Sequence, residues 1–332
     1  MTPRVAIVGC GGVGRKRAEA LGNARLVACV DVVEQHAQEL ADRTPGARSL
    51  SDWRAAVEAP DVDIVIVATP NDLLAPIAEA AIGAGKHALV EKPGARTVSE
   101  LDRLIAAADR GRSVVRVGFN HRYHPALLRA RELCDGGALG DLMFVRGRYG
   151  HGGRVGYERE WRADALRSGG GELIDQGVHL IDLARLFLGE LPTVLGSTRT
   201  YFWRMPVDDN AFMLLETAGG QTAWLHVSCT EWKNLFSLEI YGHAGKLHAE
   251  GLGGSYGMER LSYFKMSPQM GPPETTIWEY PGADGSWRTE FEEFLEDIRL
   301  NRTPRAGLAD ARAALRIVEQ LYNRAAPAGV RS

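Results

Sequence analysis

The stretch RVAIVGCGGVG, residues 4–14, decides the fold of the N-terminal part of this chain. Residues 5–8 are apolar and mostly β-branched, as in a buried strand, and a helical pattern begins near residue 13. The connecting glycines have the spacing Gly-x-Gly-x-x-Gly, in which the first permits a tight turn, the second admits a pyrophosphate and the third allows close helix–strand packing. The stretch therefore predicts a dinucleotide-binding turn. The cofactor residues predicted here are Gly9, Gly11, Gly12, Val13 and Gly14.

A carboxylate follows the second predicted strand and indicates which dinucleotide is bound. Asp31 comes directly after Leu26–Val30 and 17 residues after Gly14. A carboxylate at this place accepts hydrogen bonds from the hydroxyls of an adenosine ribose. Val32 and Val33 follow it, so this segment holds no Arg or Lys to pair with a 2′-phosphate. The sequence therefore favours NAD over NADP.

The remaining pattern predicts an α/β chain of two domains. Apolar strands alternate with helices over residues 1–122, which predicts a Rossmann domain with a doubly wound parallel sheet. Residues 123–332 are predicted to form an α+β substrate and oligomerisation domain with an open-faced, mainly antiparallel sheet. Alternation in the predicted strand 222–230 supports that sheet. We expect one helix over Glu172–Leu188, and connecting segments over 152–168 and 251–273.

Composition narrows the class of protein. The 332 residues are 45% hydrophobic and 24% charged with a net charge of −3, which is ordinary for a globular chain and gives no basic footprint for nucleic acid. No apolar stretch approaches the ~18 residues of a membrane helix, and residues 1–8 do not resemble a signal peptide. The four cysteines lie far apart, so we expect reduced thiols and no metal site. These patterns predict a cytoplasmic protein.

Three side chains supply the acid–base chemistry that oxidation of a carbinol needs. Lys92 follows the predicted strand 87–90, at the carboxyl edge where open α/β sheets bind ligands. Asp175 and His179 are four residues apart on a predicted helix, so they share a face. His179 is predicted to take the hydroxyl proton, Lys92 to hydrogen-bond the oxygen, and Asp175 to orient the site. Each residue taken singly also fits an ordinary surface or helix-face role.

Other polar residues near these segments are weaker candidates. Arg122, Trp161 and Arg162 are predicted to contact the substrate, although a packing Trp and a solvated Arg fit residues 161–162 equally well. His121, His124 and His151 are interpreted as loop histidines with no assigned role.

Several segments, in order along the chain, resemble the glucose–fructose oxidoreductase/inositol dehydrogenase/rhizopine-catabolism (Gfo/Idh/MocA) family. Besides the glycine motif they are residues 69–71 (TPN), 85–93 (GKHALVEKP), 118–123 (GFNHRY) and 168–179 (SGGGELIDQGVH). The Glu-Lys-Pro and Asp-x-x-x-His segments are specific to the family, whereas the glycine motif alone is not. The resemblance covers essentially the whole chain.

The resemblance implies a site and an assembly. It implies that Lys92 and His179 are the catalytic pair with Asp175 as partner, and that the bond before Pro93 is cis. It implies a homodimer or homotetramer, with the last helix, about 309–325, packing on the first domain. It also implies a cofactor site lined by Thr69, Pro70, Asn71, Glu91, Lys92 and Asn120.

The expected activity is NAD-dependent oxidation or reduction of a secondary alcohol on a sugar, amino sugar or cyclitol. An aminoglycoside or a sugar intermediate of a bacterial biosynthetic pathway is one such substrate. Two alternatives are a redox-assisted glycosidase or lyase that retains its NAD, and a non-catalytic NAD-sensing regulator. Intact Lys92, Asp175 and His179 disfavour the regulator, because a sensor needs no proton relay.

Overall fold

The computed structural model describes residues 2–325, which divide into two compact units. The first unit contains residues 1–120, 166–169 and 287–315, and the second contains residues 121–165, 170–286 and 316–332, within the described range. The domain boundary predicted at residue 122 stays a prediction. The last helix contributes to both units, with Leu315 the last residue of the first.

The first unit is built on a six-stranded parallel sheet whose strand order is 3-2-1-4-5-6. This order reverses direction between β1 and β4, where doubly wound sheets bind ligands. Its strands are β1 Arg4–Val8, β2 Arg25–Val30, β3 Arg48–Leu50, β4 Ile64–Val67, β5 His87–Glu91 and β6 Val115–Gly118. Its helices are α1 Gly12–Glu19, α2 Glu34–Asp42, α3 Trp53–Glu58, α4 Asn71–Gly83, α5 Val98–Asp109 and α9 Ser286–Leu300.

Burial explains why these strands read as continuous apolar runs. Val5, Ala6 and Ile7 are consecutive residues whose side chains point alternately to the two faces, and all three are fully buried. Both faces of the sheet are therefore covered, as parallel sheets require. Phe291 and Phe294 of α9 complete the hydrophobic core of this unit.

The second unit contains an eight-stranded sheet in the order 14-13-12-11-7-10-9-8, antiparallel except for the parallel pair β7 and β10. Its strands are β7 Leu142–Gly150, β8 Thr193–Arg199, β9 Asn210–Glu216, β10 Thr222–Ser228, β11 Leu235–Gly242, β12 Gly245–Glu250, β13 Glu259–Lys265 and β14 Glu274–Tyr280. The remaining helices of the chain are α6 Pro125–Asp135, α7 Ala165–Ser168, α8 Val178–Leu188 and α10 Leu308–Ala325.

One face of this sheet is open. In β10 the alternate residues Ala223, Leu225 and Val227 are buried while Trp224 between them is exposed, which confirms the predicted alternation. The strand register continues the exposed face from Trp224 to Leu195 on β8, through Leu214, and to Arg146 on β7. The second unit therefore has one face buried in its own core and one carrying exposed apolar side chains.

One local prediction was wrong, and two were incomplete. The segment 251–273 is not a single connection, because Glu259–Lys265 forms β13 by pairing with β12, a tertiary contact that the Gly- and Pro-rich flanks conceal. The segment 152–168 is a connection, and it contains three short helical turns that the sequence did not predict. The helix predicted from Glu172 begins as a π-helical turn, Leu173–Gly177, and α8 starts only at Val178.

Candidate functional site

Two glycines of the first turn are required by contacts of the backbone. A Cβ on Gly14 would lie 1.9 Å from the carbonyl oxygen of Gly9, so α1 passes against β1 with no room for a side chain. A Cβ on Gly9 would lie 2.4 Å from the oxygen of Ala68, and the φ of Gly9 is +94°. By contrast, Gly11 and Gly12 face open space. The turn is thus packed tightly on the strand side and open at the beginning of α1.

The open side of this turn has the features that a dinucleotide needs. No side chain caps the amino terminus of α1, whose N-cap residue is Gly11, so the first amide groups of the helix are available to an anion. The carboxylate of Asp31 lies beside it, where Oδ2 accepts a 2.8 Å hydrogen bond from the amide of Cys10 and Oδ1 one of 2.9 Å from Val33. These bonds hold the carboxylate in place, and each oxygen can accept a further bond.

The ends of the later strands carry the other predicted cofactor residues. Thr69 follows β4 and has a buried Oγ1 without a hydrogen-bond partner among the described residues. Asn71 opens α4 and donates from Nδ2 to the oxygen of Ser168 at 2.8 Å. Asn120 is buried after β6, and Pro70 is the N-cap residue of α4. All four residues therefore follow closely after the carboxyl ends of β4 and β6.

Lys92 and its neighbour Glu91 lie at the end of β5. Lys92 is half-buried, and the peptide bond between Lys92 and Pro93 is cis. Glu91 is buried, and its Oε1 accepts a hydrogen bond of 2.6 Å from Nε of Arg17. Arg17 also binds Glu290 of α9 at 2.5 Å. Burial raises the pKa of the Glu290 carboxyl, against the opposing effect of Arg17.

The second unit holds Asp175 within the π-helical turn. That turn follows three glycines, and Asp208 fixes its start: Oδ1 accepts from the amide of Gly171 at 3.0 Å and from the hydroxyl of Tyr322 at 2.8 Å, and Oδ2 accepts from the amide of Leu173 at 2.8 Å. A Cβ on Gly171 would lie 2.0 Å from the oxygen of Asp208, so this close approach also needs glycine. Single π turns inside helices are often found at functional sites.

The π turn bears on the spacing argument for Asp175 and His179. In an α-helix the residues Asp175 and His179 share a face because four residues nearly complete a turn. Asp175 lies in the π turn and His179 lies in α8, so the pair spans two kinds of helix, and the common face of the two side chains stays a prediction. The contacts of Asp175 and of His179 are therefore described separately.

Asp175 and Arg162, both predicted site residues, lie together. Nε of Arg162 donates to Oδ2 of Asp175 at 2.9 Å. The charge of Asp175 is the largest cause that raises the pKa of Arg162. Arg162 also lies 3.7 Å from Glu160, and its guanidinium is 4.6 Å from the ring centre of Trp161. Arg162 therefore holds the carboxylate of Asp175 in a fixed position and balances its charge.

His179 lies in a cluster of aromatic and imidazole rings. It is 4% exposed, and its ring centre is 3.7 Å from that of His121 and 6.1 Å from that of Tyr149. The hydroxyl of Tyr149 is hydrogen-bonded to Tyr256, and burial raises the pKa of Tyr149 well above its ordinary value. Tyr149 is thus a neutral neighbour of the candidate base.

Arg122 is bound within the same unit. Its guanidinium forms two hydrogen bonds with the carboxylate of Asp182 on α8, one of them 2.6 Å from Nε, and the side chain of Asp182 is buried. This fork-like contact links the turn at 120–123 to α8. The substrate role of Arg122 stays a prediction.

Comparison with known proteins identifies the family. Residues 3–119 match the "Oxidoreductase family, NAD-binding Rossmann fold", and residues 127–248 match the "GFO/IDH/MocA C-terminal domain". Inositol 2-dehydrogenase 2 of Saccharopolyspora erythraea is 31% identical over 86% of this chain and 78% of that protein. The chain belongs to the Gfo/Idh/MocA oxidoreductase family.

Two other proteins are similar to this chain over different shares of their own length. Levoglucosan dehydrogenase of Pseudarthrobacter phenanthrenivorans is 36% identical, over 55% of this chain and only 48% of its own length. The solved structure of GenD2 from gentamicin A biosynthesis in complex with NAD is 28% identical with a TM-score of 0.83, over 98% of this chain and 95% of that chain. These values support the same two-part architecture.

The residues of this family member fit NAD. The two crowded glycines, the open side of the turn at Gly11 and the held carboxylate of Asp31 are what a pyrophosphate and a ribose require. Within residues 2–325, no three His, Cys, Asp or Glu side chains are grouped so as to hold a metal ion, and no helix is long and apolar enough to cross a membrane.

Several functional candidates were missed in the sequence. Arg17 and Glu290 are 273 positions apart, so no local pattern pairs them. Asp208 lies in a turn-rich segment and carries no motif. His121 was interpreted as a loop histidine without a role, but it contacts His179. The sequence offered one indication of a role for His121, namely its position next to Asn120 in a segment that resembles the family.

Proposed function

We propose that the chain is an NAD-dependent dehydrogenase that oxidises or reduces a secondary alcohol on a sugar or cyclitol. The observation that carries the proposal is the buried acid–base cluster of the second unit, Asp175 with Arg162 and His179 with His121, in a chain whose first unit has an NAD-binding fold. Relatives named inositol 2-dehydrogenase and levoglucosan dehydrogenase support this class of substrate.

NAD, held by the turn at residues 9–14 and by Asp31, would supply the hydride acceptor for the carbon that bears the hydroxyl. His179 takes the hydroxyl proton, and burial protects this transfer from exchange with water. Lys92 hydrogen-bonds the same oxygen and stabilises its developing negative charge. Asp175, held by Arg162, orients a neighbouring hydroxyl of the substrate. The role of Lys92 follows from its chemistry and from the family resemblance.

The charges near Asp175 favour an uncharged polyol. Glu160 binds Arg154 at 2.6 Å and lies 3.7 Å from Arg162, which binds Asp175, so the charges of these four side chains balance. A neutral sugar or cyclitol satisfies such groups by hydrogen bonds alone. An amino sugar or aminoglycoside remains a finer proposal, supported by the likeness to GenD2.

A panel of substrates tests the proposal. The purified protein is assayed with NAD⁺ and inositols, aldoses, anhydro sugars, amino sugars and nucleotide sugars, and NADH formation is followed by absorbance. We expect turnover with at least one neutral polyol and weaker turnover with NADP⁺. Product formation without net NADH would instead indicate a redox-assisted lyase. NAD⁺ binding without turnover in either direction across the panel would contradict the proposal.

A further inference from the structure

The ring of His121 lies against the candidate base, and the proposed function gives His121 no chemical role. The two ring centres are 3.7 Å apart with the planes inclined by 46°, so the imidazoles are in direct contact. His121 is 5% exposed and His179 is 4% exposed. Two imidazolium charges at this separation would repel each other strongly, because little water is present to screen them.

Two carboxylates lie beside His124, whose ring neighbours that of His121. On its own turn, the ring of His124 is centred 5.6 Å from that of His121. Nδ1 of His124 is 2.8 Å from Oε2 of Glu259 on β13, and Nε2 is 3.9 Å from Oδ1 of Asp284. The side chain of Asp284 is 29% exposed, so this group of residues reaches solvent.

Two aromatic neighbours of His121 carry no charge. Tyr149 of β7 is centred 5.0 Å from His121 and stays neutral, since burial raises the pKa of its hydroxyl. Phe236 of β11, centred 6.0 Å away, is apolar. On the side of His179, the charge of Asp175 is balanced by Arg162 at 2.9 Å. Glu172, which acts on Tyr149, lies 3.7 Å from His151.

We propose that His121 and His179 form an imidazole pair that takes up a single proton between them, because the contact of the two rings opposes a second. This inference rests on the proposed function for its catalytic meaning. In the oxidation, the hydride goes to NAD⁺ and the hydroxyl proton goes to His179. The pair enters the oxidation without an added proton and takes up only that one, which is lost to solvent before the next turnover, so His179 returns to its neutral form.

The pair is tested directly by NMR of the imidazole nitrogens in the whole protein without substrate, titrated between about pH 8 and pH 5. We expect both rings to report one shared proton uptake, with the second uptake displaced to lower pH by about one unit or more. In His121→Asn the ring of His179 then titrates alone and takes up a full proton. His121→Phe repeats the test with a ring of similar packing if the Asn variant does not fold.

The control is His248→Asn, which changes a histidine of β12 bonded to Ser237, outside this cluster. It should leave the titration of His179 unchanged. Two independent titrations in the wild-type protein, or no uptake by either ring above about pH 5, would overturn the pair. Failure of the proposed function is recognised separately, as absence of turnover across the substrate panel together with a shared one-proton titration.

Discussion

Single residues decide how the first unit receives its nucleotide. Asp31 is held by the amides of Cys10 and Val33, which leaves its oxygens able to accept ribose hydroxyls. The sequence predicted this carboxylate because motif and strand end are both local features. It could not predict that Glu91, expected to line the cofactor, is bound by a buried arginine from α1.

The substitution Asp31→Ala should weaken NAD⁺ binding by roughly tenfold, because two charge-assisted hydrogen bonds to the ribose are lost. Discrimination against NADP⁺ should relax in parallel, since the carboxylate no longer repels a 2′-phosphate. Isothermal titration with both nucleotides measures this. Asp61→Ala, which removes an exposed carboxylate paired with Arg48, is the control. Unchanged affinities for both nucleotides would contradict the ribose assignment.

Two glycines of the same turn should differ in their effect on the free energy of unfolding. Gly14→Ala should lower the free energy of unfolding by about 3 kcal/mol or more, because the new Cβ meets the oxygen of Gly9 at 1.9 Å. Gly12→Ala should change it by less than about 1 kcal/mol, since the position is helical and open. Chemical denaturation measures both variants, and equal effects would show that the turn is not packed as described.

Glu290 should make stability depend on pH in a defined direction. Burial raises its pKa above the ordinary 4.5, so the protonated form is favoured by folding. The stabilisation from this group is therefore complete below about pH 4.5 and is lost as the pH rises through the higher folded-state pKa. Glu290→Gln, which mimics the protonated form, should gain stability relative to the wild type from pH 4 towards pH 7.

Unfolding free energies measured across that pH range test this prediction. Exposed Glu292 lies on the same helix, and Glu292→Gln controls for the loss of one carboxylate. A difference between wild type and Glu290→Gln that does not change with pH, or that changes equally in the control, would refute it.

At the scale of elements, the π turn Leu173–Gly177 is the feature that the sequence did not reveal. Its residues read as one helix with α8, because hydrophobic periodicity cannot distinguish one inserted turn. The turn is set by Asp208, a tertiary partner 33 residues beyond Asp175. β13 was missed for the same reason, since pairing with β12 makes it a strand.

Asp208→Asn should loosen this turn. An amide group in place of one carboxylate oxygen presents N–H towards an amide donor, either that of Leu173 or that of Gly171, so about 1–3 kcal/mol of stability should be lost. Turnover should fall as well, because Asp175 is carried by the turn. Tyr322→Phe removes only one of the three bonds and is the milder comparison. Equal stability of the two variants, measured by denaturation, would argue against Asp208 as the anchor.

At the scale of the whole molecule, alternation in the strands predicted the architecture well. The parallel sheet and the open, mainly antiparallel sheet were both predicted from periodicity and are both present. Oligomeric state stays a prediction. The exposed face that carries Leu195, Phe144 and Trp224 is the surface on which that prediction is tested.

Trp224→Glu should shift the protein to a smaller assembly, because it places a charge among exposed apolar side chains. Sedimentation measured over a range of concentrations reports the change. Lys233→Glu, at a position outside the named strands, controls for the added charge. A wild-type protein that is monomeric at all concentrations would contradict the predicted homodimer or homotetramer.

The most direct test of the account is the turnover of His179→Ala with the best substrate of the panel. We predict a kcat lower by about 100-fold or more, the size of general acid–base effects, with NAD⁺ affinity within about twofold of the wild type. His248→Ala, the matched change on β12, should turn over at the wild-type rate. Near-normal turnover by His179→Ala would contradict the assignment of His179 as the base.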